Sequence, residues 1–262
     1  MNHLKVLSIG AVVALLVALG GVAPVFGVQV ARADESCMPI TASDISQITA
    51  VENDPTLSYS QEITQELALR RQLVGETIAC AQEEVQTLQT ALNNVQPTGG
   101  ASQTLQSQYL GDLNDATNFY DLELTKLNGS GIASTEAIAR EVLSWRTGTF
   151  DPLSENINNF ILWAGNQSFF ATAQTRMDQT QRAVAFIESA SPDSELQNAF
   201  EAADSSFSTA VAENNAAESA LGQSLSPDQT IGLIKQSLDS LSSTYQSFFT
   251  VSSLINAALP QQ

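Results

Sequence analysis

The sequence predicts an all-α fold, on three observations. Apolar residues recur at alternating three- and four-residue steps along most of the chain. Prolines fall beside capping side chains at the ends of those runs. Period-two alternation is absent, and the β-branched residues are scattered. Connections of about four to six residues make successive helices antiparallel neighbours. The expected architecture is an elongated antiparallel up-and-down helical bundle with coiled-coil-like seams.

The elements follow in order. Residues 34–57 form an acidic arm in which Ile45, Ile48 and Val51 mark a short helix near 42–53, ended by Asp54-Pro55. Residues 58–262 form the bundle domain. Ser58 with Gln61 is a capping box that opens a long helix. Its seam is Leu67, Val74, Ile78, Ala81, Val85, Leu88, Leu92 and Val95, with Arg71 standing at the position where the pattern calls for an apolar residue. A second helix over 102–127 buries Leu105, Tyr109, Leu113, Ala116, Tyr120, Leu124 and Leu127, and Asn128-Gly129 supplies a left-handed stop. A shorter helix follows Ser134 and ends at Gly148. Asp151-Pro152 then opens a helix to about 190 with the stripe Phe160, Trp163, Phe170, Ala173, Met177, Val184 and Ile187. Ser191-Pro192-Asp193 and Ser226-Pro227-Asp228 open the last two helices. The first carries Leu196, Phe200, Ala203, Phe207, Ala210, Asn214, Ala217 and Leu221. The second carries Ile231, Ile234, Leu238, Leu241, Tyr245, Phe248, Ser252, Ile255 and Leu259. Asn214, and Asn166 with it, are amides expected to fix register within the interior.

The N-terminus reads as an export signal. Lys5 is followed by an uncharged run from Val6 to Val30, densest in apolar residues at Ala11–Leu19, and by the small-x-small exit Ala31-Arg32-Ala33. Cleavage after Ala33 is expected, which makes residues 1–33 a signal peptide; the alternative is that 6–30 stay attached as a membrane anchor. Cleavage removes Lys5 and Arg32 and no acid, so the formal charge moves from −18 to −20.

In an exported chain the two cysteines, Cys37 and Cys80, are expected to pair. The arm is long enough to fold back along the first long helix and set one beside the other, at ~1.5 Å per helical residue and ~3.3 Å per extended one. Two buried thiols, or a bridge from Cys37 to another chain, are the alternatives.

Composition excludes much chemistry. The only histidine is His3, inside the segment expected to be removed. Ser-His-Asp and Cys-His catalysis, histidine-ligated zinc or iron, and the Glu-x-x-His di-iron bundle site are then closed to the mature chain. No phosphate loop, dinucleotide fingerprint or G-x-S-x-G occurs. No cofactor or metal site is expected; Asp112, Asp115, Asp121 and Glu123 cluster on one helix but miss calcium-loop spacing. A surface this acidic repels nucleic acid and anionic lipid.

Two constellations stand out. Trp145, Phe150, Phe160, Trp163, Phe169 and Phe170 crowd into residues 145–170 among the amides of Asn156, Asn158, Asn159, Asn166 and Gln167. Phe160, Trp163 and Phe170 keep core spacing, which leaves Trp145, Phe150 and Phe169 as candidates for a partner or ligand surface. Glu141, one turn before Trp145, is the acid placed to meet an apolar environment, as a carboxylate hydrolase would need. The functional expectation is an exported, non-enzymatic helical bundle of the cell envelope or surface. It would act by binding a protein partner or by assembling, with itself among the candidate partners, as a stalk, adhesin subunit, secretion accessory or chaperone-like adaptor. The alternatives are a carboxylate-based cell-wall glycan hydrolase and an N-terminally anchored stalk or sensor.

Overall fold

The computed structural model describes residues 41–97, 99–223 and 225–258. Residues 1–33, expected to be a signal peptide, lie outside them, as do Cys37, the start of the acidic arm and Leu259. The chain is an all-α helical bundle, with no strand among the described residues. Its helices are α1 (Ala42–Glu52), α2 (Tyr59–Asn93), α3 (Gly100–Asn128), α4 (Ile132–Trp145), α5 (Asp151–Ala190), α6 (Ser194–Gly222) and α7 (Pro227–Ala258). A π-helical turn, Arg146–Phe150, joins α4 to α5.

The caps show how local chemistry places the ends. The Thr41 backbone N–H donates to Asp44 Oδ2 at 2.7 Å, and the Asp44 N–H returns to Thr41 Oγ1 at 3.3 Å, a complete capping box for α1. At α2 the Ser58 N–H donates to Gln61 Oε1 at 3.0 Å. The repeated Ser-Pro-Asp tripeptide is used in two registers. Before α6, Asp193 Oδ1 accepts from the N–H groups of Glu195 and Leu196. Before α7, Ser226 Oγ accepts from the Gln229 N–H at 3.4 Å, and Pro227 takes the first helical position, where no N–H is needed.

Two junctions differ from expectation. Gly129 has φ −106° and ψ 2°, so it is no left-handed stop. The end of α3 is closed by Ser130, whose N–H and hydroxyl both donate to the Leu127 carbonyl at 3.2 and 2.8 Å. Asp151-Pro152 does not open a new helix after a break, because the backbone stays helical from α4 through the π turn into α5. The Asp151 N–H reaches back five residues to the Arg146 carbonyl. Pro152 explains this: its ring would collide with the carbonyl four residues back in a regular helix, and the wider turn relieves the collision.

The contacts gather into two compact units. The first holds residues 41–164 with 221–230. In it α2 packs against α1, α3 and α4, and α3 packs against α4. Ile78, Ala81, Val85, Leu88 and Leu92 of α2 and Leu113, Ala116 and Tyr120 of α3 supply much of its core, with Val142, Phe150, Ile157, Phe160 and Trp163. The second unit holds residues 165–220 with 231–258. Its core is Phe170, Ala173 and Met177 of α5, Ala203, Phe207 and Ala210 of α6, and Leu241 and Phe248 of α7. A further cluster joins Val184, Ile187, Leu196 and Val251. The α5 stripe is buried throughout as expected.

Candidate functional site

The densest chemistry of the first unit is built around the π turn. Phe119 stacks on Trp145 with centroids 4.2 Å apart, and Tyr120 meets both Trp145 and Phe150 edge-on at 5.2 and 6.0 Å. Arg146 lies over the Phe150 ring, its guanidinium carbon 5.7 Å from the centroid. Its fork faces the Glu84 carboxylate of α2. Nη2 donates to Oε1 at 3.0 Å, and Nη1 lies 2.8 Å from Oε2. Nε lies 3.4 Å from Asp151 Oδ1. The side chains of Arg146 and Glu84 keep only 20% and 12% of their exposure, so this is a largely desolvated pair.

Tyr120 fills the middle of this cluster. Its hydroxyl is buried close to Arg146 without a well-formed hydrogen bond. Burial pushes it far above the usual phenol range; Glu84 and Asp151 push the same way, against Arg146. Burial acts likewise on Tyr109, helped by Asp112, and its hydroxyl is pushed up to about 12. That hydroxyl donates to the Leu221 carbonyl at 3.5 Å.

A second charged group sits deeper. Glu123 is 0% exposed; one carboxylate oxygen meets Lys126 Nζ at 2.6 Å and the other has no hydrogen-bond partner. Lys126 also reaches Glu141 at 3.5 Å. With Glu66 against Arg70 and Glu84 against Arg146, each of these interior carboxylates is matched to a cation.

The structure brings Trp145 and Phe150 of the sequence-derived candidates together, with ring centroids 6.1 Å apart. Phe150 is fully buried in the aromatic cluster and cannot belong to a binding surface. The π turn carries it inward, where it packs on Tyr120 and Trp145. Trp145 is half-buried, stacked on Phe119. Phe169 is 43% exposed and belongs to the second unit. Glu141 is exposed and paired with Lys126, not enclosed against an aromatic. Cys80 is half-buried on α2 and has a partner. The expected one, Cys37, lies outside the described residues, so the bridge stands as a proposal. Among the described residues no group of three acids or cysteines is arranged to hold a metal ion.

Sequence reasoning missed Glu84, Tyr120 and Arg146 as one unit, because nothing in their spacing links three elements. Glu123 was legible in part. A three-residue step from Tyr120 reaches it and a four-residue step reaches Leu124; hydropathy favours Leu124, yet the structure buries Glu123 and leaves Leu124 half-exposed. Asn214 behaves as its seam position implied. It trades two hydrogen bonds with Gln167, at 3.1 and 3.2 Å. Asn166 is also buried, but its side-chain nitrogen has no hydrogen-bond partner. Comparison with protein families, curated proteins and solved structures finds no match to the chain.

The arrangement can hold elements together and set their register. Among the described residues, no helix is long and apolar enough to cross a membrane.

Proposed function

We propose that the chain is an exported, non-enzymatic helical bundle of the cell envelope or surface that acts by binding or assembly. The observation that carries the reading is the pattern of its apolar residues. The seams are filled by side chains from neighbouring helices, while Leu143, Phe169, Phe186 and Phe249 stand exposed on an otherwise acidic chain. Phe186 is 71% exposed, turned outward by the helical positions of Val184 and Ile187, which both fill the core, and the fold does not require an aromatic side chain there. Exposed aromatic anchors on a charged surface suit protein recognition. The matching of interior carboxylates to cations supports the non-enzymatic side of the reading, since a glycan hydrolase needs one acid left unpaired in apolar surroundings.

The elongated rod shape, the Cys37–Cys80 bridge and cleavage after Ala33 belong to the same proposal. The test is capture of envelope proteins by residues 34–262, in parallel with Phe186→Asp and Phe169→Asp variants. A partner retained by the parent and lost by a variant supports the reading. No capture, together with glycan release from wall material, would overturn it. The mass of the exported protein decides the N-terminus: a start at Asp34 supports cleavage, and an intact 1–33 makes the chain a tethered stalk.

A further inference from the structure

We propose that Asn128 is a self-modification site: its side-chain amide becomes a carboxyl by way of the Gly129 backbone nitrogen, and the isoaspartate that results loosens the α3–α4 junction. The reaction needs a small residue after an asparagine, a backbone nitrogen outside the helical ladder and a side-chain amide free to approach it. Asn128-Gly129 is the one Asn-Gly step in the sequence. Glycine puts no Cβ in the path and lets the main chain turn toward the side chain. Apart from its chain neighbours, nothing stands within 4 Å of where a Gly129 Cβ would be. The Gly129 N–H points to the Leu127 carbonyl two residues back, so it has left the ladder of α3. Asn128 is exposed, and its side chain makes no hydrogen bond among the described residues. Asn53, Asn159 and Asn114 are held instead. Asn53 donates to the Thr49 carbonyl at 2.7 Å, Asn159 donates to the Pro227 carbonyl at 2.9 Å, and Asn114 accepts from Gln89 at 3.1 Å. Asp54, Phe160 and Asp115 follow them, and those side chains crowd the nitrogen.

The Gly129 nitrogen gives up its proton and attacks the carbonyl carbon of the Asn128 side chain. A new N–C bond forms, the bond to the amide nitrogen breaks, and ammonia carries the proton away. Water, the only co-reactant, then opens the cyclic imide. Opening at the side-chain carbonyl gives aspartate. Opening at the main-chain carbonyl gives isoaspartate, in which the chain runs through Cβ. The position matters because of what it spans. Ser130 closes α3 by donating its N–H and hydroxyl to the Leu127 carbonyl at 3.2 and 2.8 Å. Its hydroxyl also meets Thr135 Oγ1 of α4 at 2.7 Å, and its carbonyl accepts from Arg71 of α2. Asn128 and Gly129 are the links between Leu127 and Ser130. An added backbone carbon there lengthens the closed turn and pulls Ser130 off its partners. The new charge at the C-terminal end of α3 also opposes the helix dipole. The inference holds whichever partner the bundle has.

The test incubates the full chain in mildly alkaline buffer and follows it by peptide mass mapping, with fragmentation that separates isoaspartate from aspartate. The mass gain of an amide turned acid should appear first in the peptide that carries Asn128. Gly129→Ala should slow it by about tenfold, and it should fold normally because the added methyl meets open space. The folded chain should react within about tenfold of the chain in urea, since helix ends open at little cost. The purified isoaspartate form should melt below the parent and below Asn128→Asp, which carries the charge without the extra backbone carbon. Reaction first at another asparagine overturns the proposal, as does Gly129→Ala reacting as fast as the parent. Protection of Asn128 by folding beyond about a hundredfold overturns it too. An isoaspartate form that melts together with Asn128→Asp is equally fatal, because the lengthened backbone then loosens nothing.

Discussion

Three side chains show how much a single position settles in this chain. Arg146 compensates Glu84, reaches Asp151 and covers Phe150. Replacing it with Met should leave Glu84 partly buried and uncompensated, at a cost of about 3 kcal/mol. Urea unfolding at neutral pH measures this; replacing Glu84 with Gln in the same protein should recover part of it. A loss below about 0.5 kcal/mol would mean that water reaches the pair. The tyrosines make a pH prediction. Tyr109 ionises near 10 when unfolded and near 12 when folded, and Tyr120 is shifted in the same direction. A raised phenol binds its proton more tightly in the folded state. Its contribution is therefore intact below pH 10 and is lost as the pH climbs through 12. Tyrosinate absorbance from these two residues should appear only together with loss of helical circular dichroism. An early rise in absorbance with the helix intact would show that their hydroxyls are hydrated.

Helices add constraints that single positions do not reveal. The π turn holds one residue more than a regular helix, and Pro152 is the reason it persists. Deleting Gly148 should restore regular geometry but force the Pro152 ring against a carbonyl, at a cost of about 3 kcal/mol. Combining the deletion with Pro152→Ala should regain most of that stability, read as the thermal midpoint. If the double variant is no better than the deletion, the turn is held by the Phe150 packing instead. In the second unit, Asn214→Leu should cost about 1–3 kcal/mol by removing the amide with which Gln167 exchanges two hydrogen bonds, and Asn214→Leu with Gln167→Leu should cost less than the single change. The seam of α7 teaches the same lesson about legibility. Its 3-4 rhythm was readable, and Ile234, Leu241 and Phe248 are buried as read. The alternate positions are one residue off: Ser237, Thr244 and Val251 are buried, while Leu238 and Tyr245 are half-exposed. Small side chains allow close helix approach, and their hydroxyls are satisfied locally. Ser237 donates to the Ile234 carbonyl at 2.8 Å and Thr244 to the Ser240 carbonyl at 3.0 Å. Hydropathy cannot rank a hydroxyl that carries its own partner above a leucine.

At the scale of the whole molecule, charge dominates. A formal −18 on 262 residues means that folding gathers like charges. Moderate salt should therefore raise the melting temperature, and a fall between low and physiological ionic strength would show that the ion pairs outweigh the repulsion.

The division between sequence and structure follows the range of the forces. Helix content, most of the apolar stripes and the Ser58 capping box were readable from the chain, because caps and 3.6-residue periodicity act within a few residues. The interior ion pairs and the burial of Phe150 were decided only in the folded chain. Glu84 meets Arg146 across 62 positions, and Arg71 meets Ser130 across 59. Such pairings depend on which helices become neighbours and in what register, which is set by packing volume and desolvation summed over several elements at once. Local spacing carries no record of that sum.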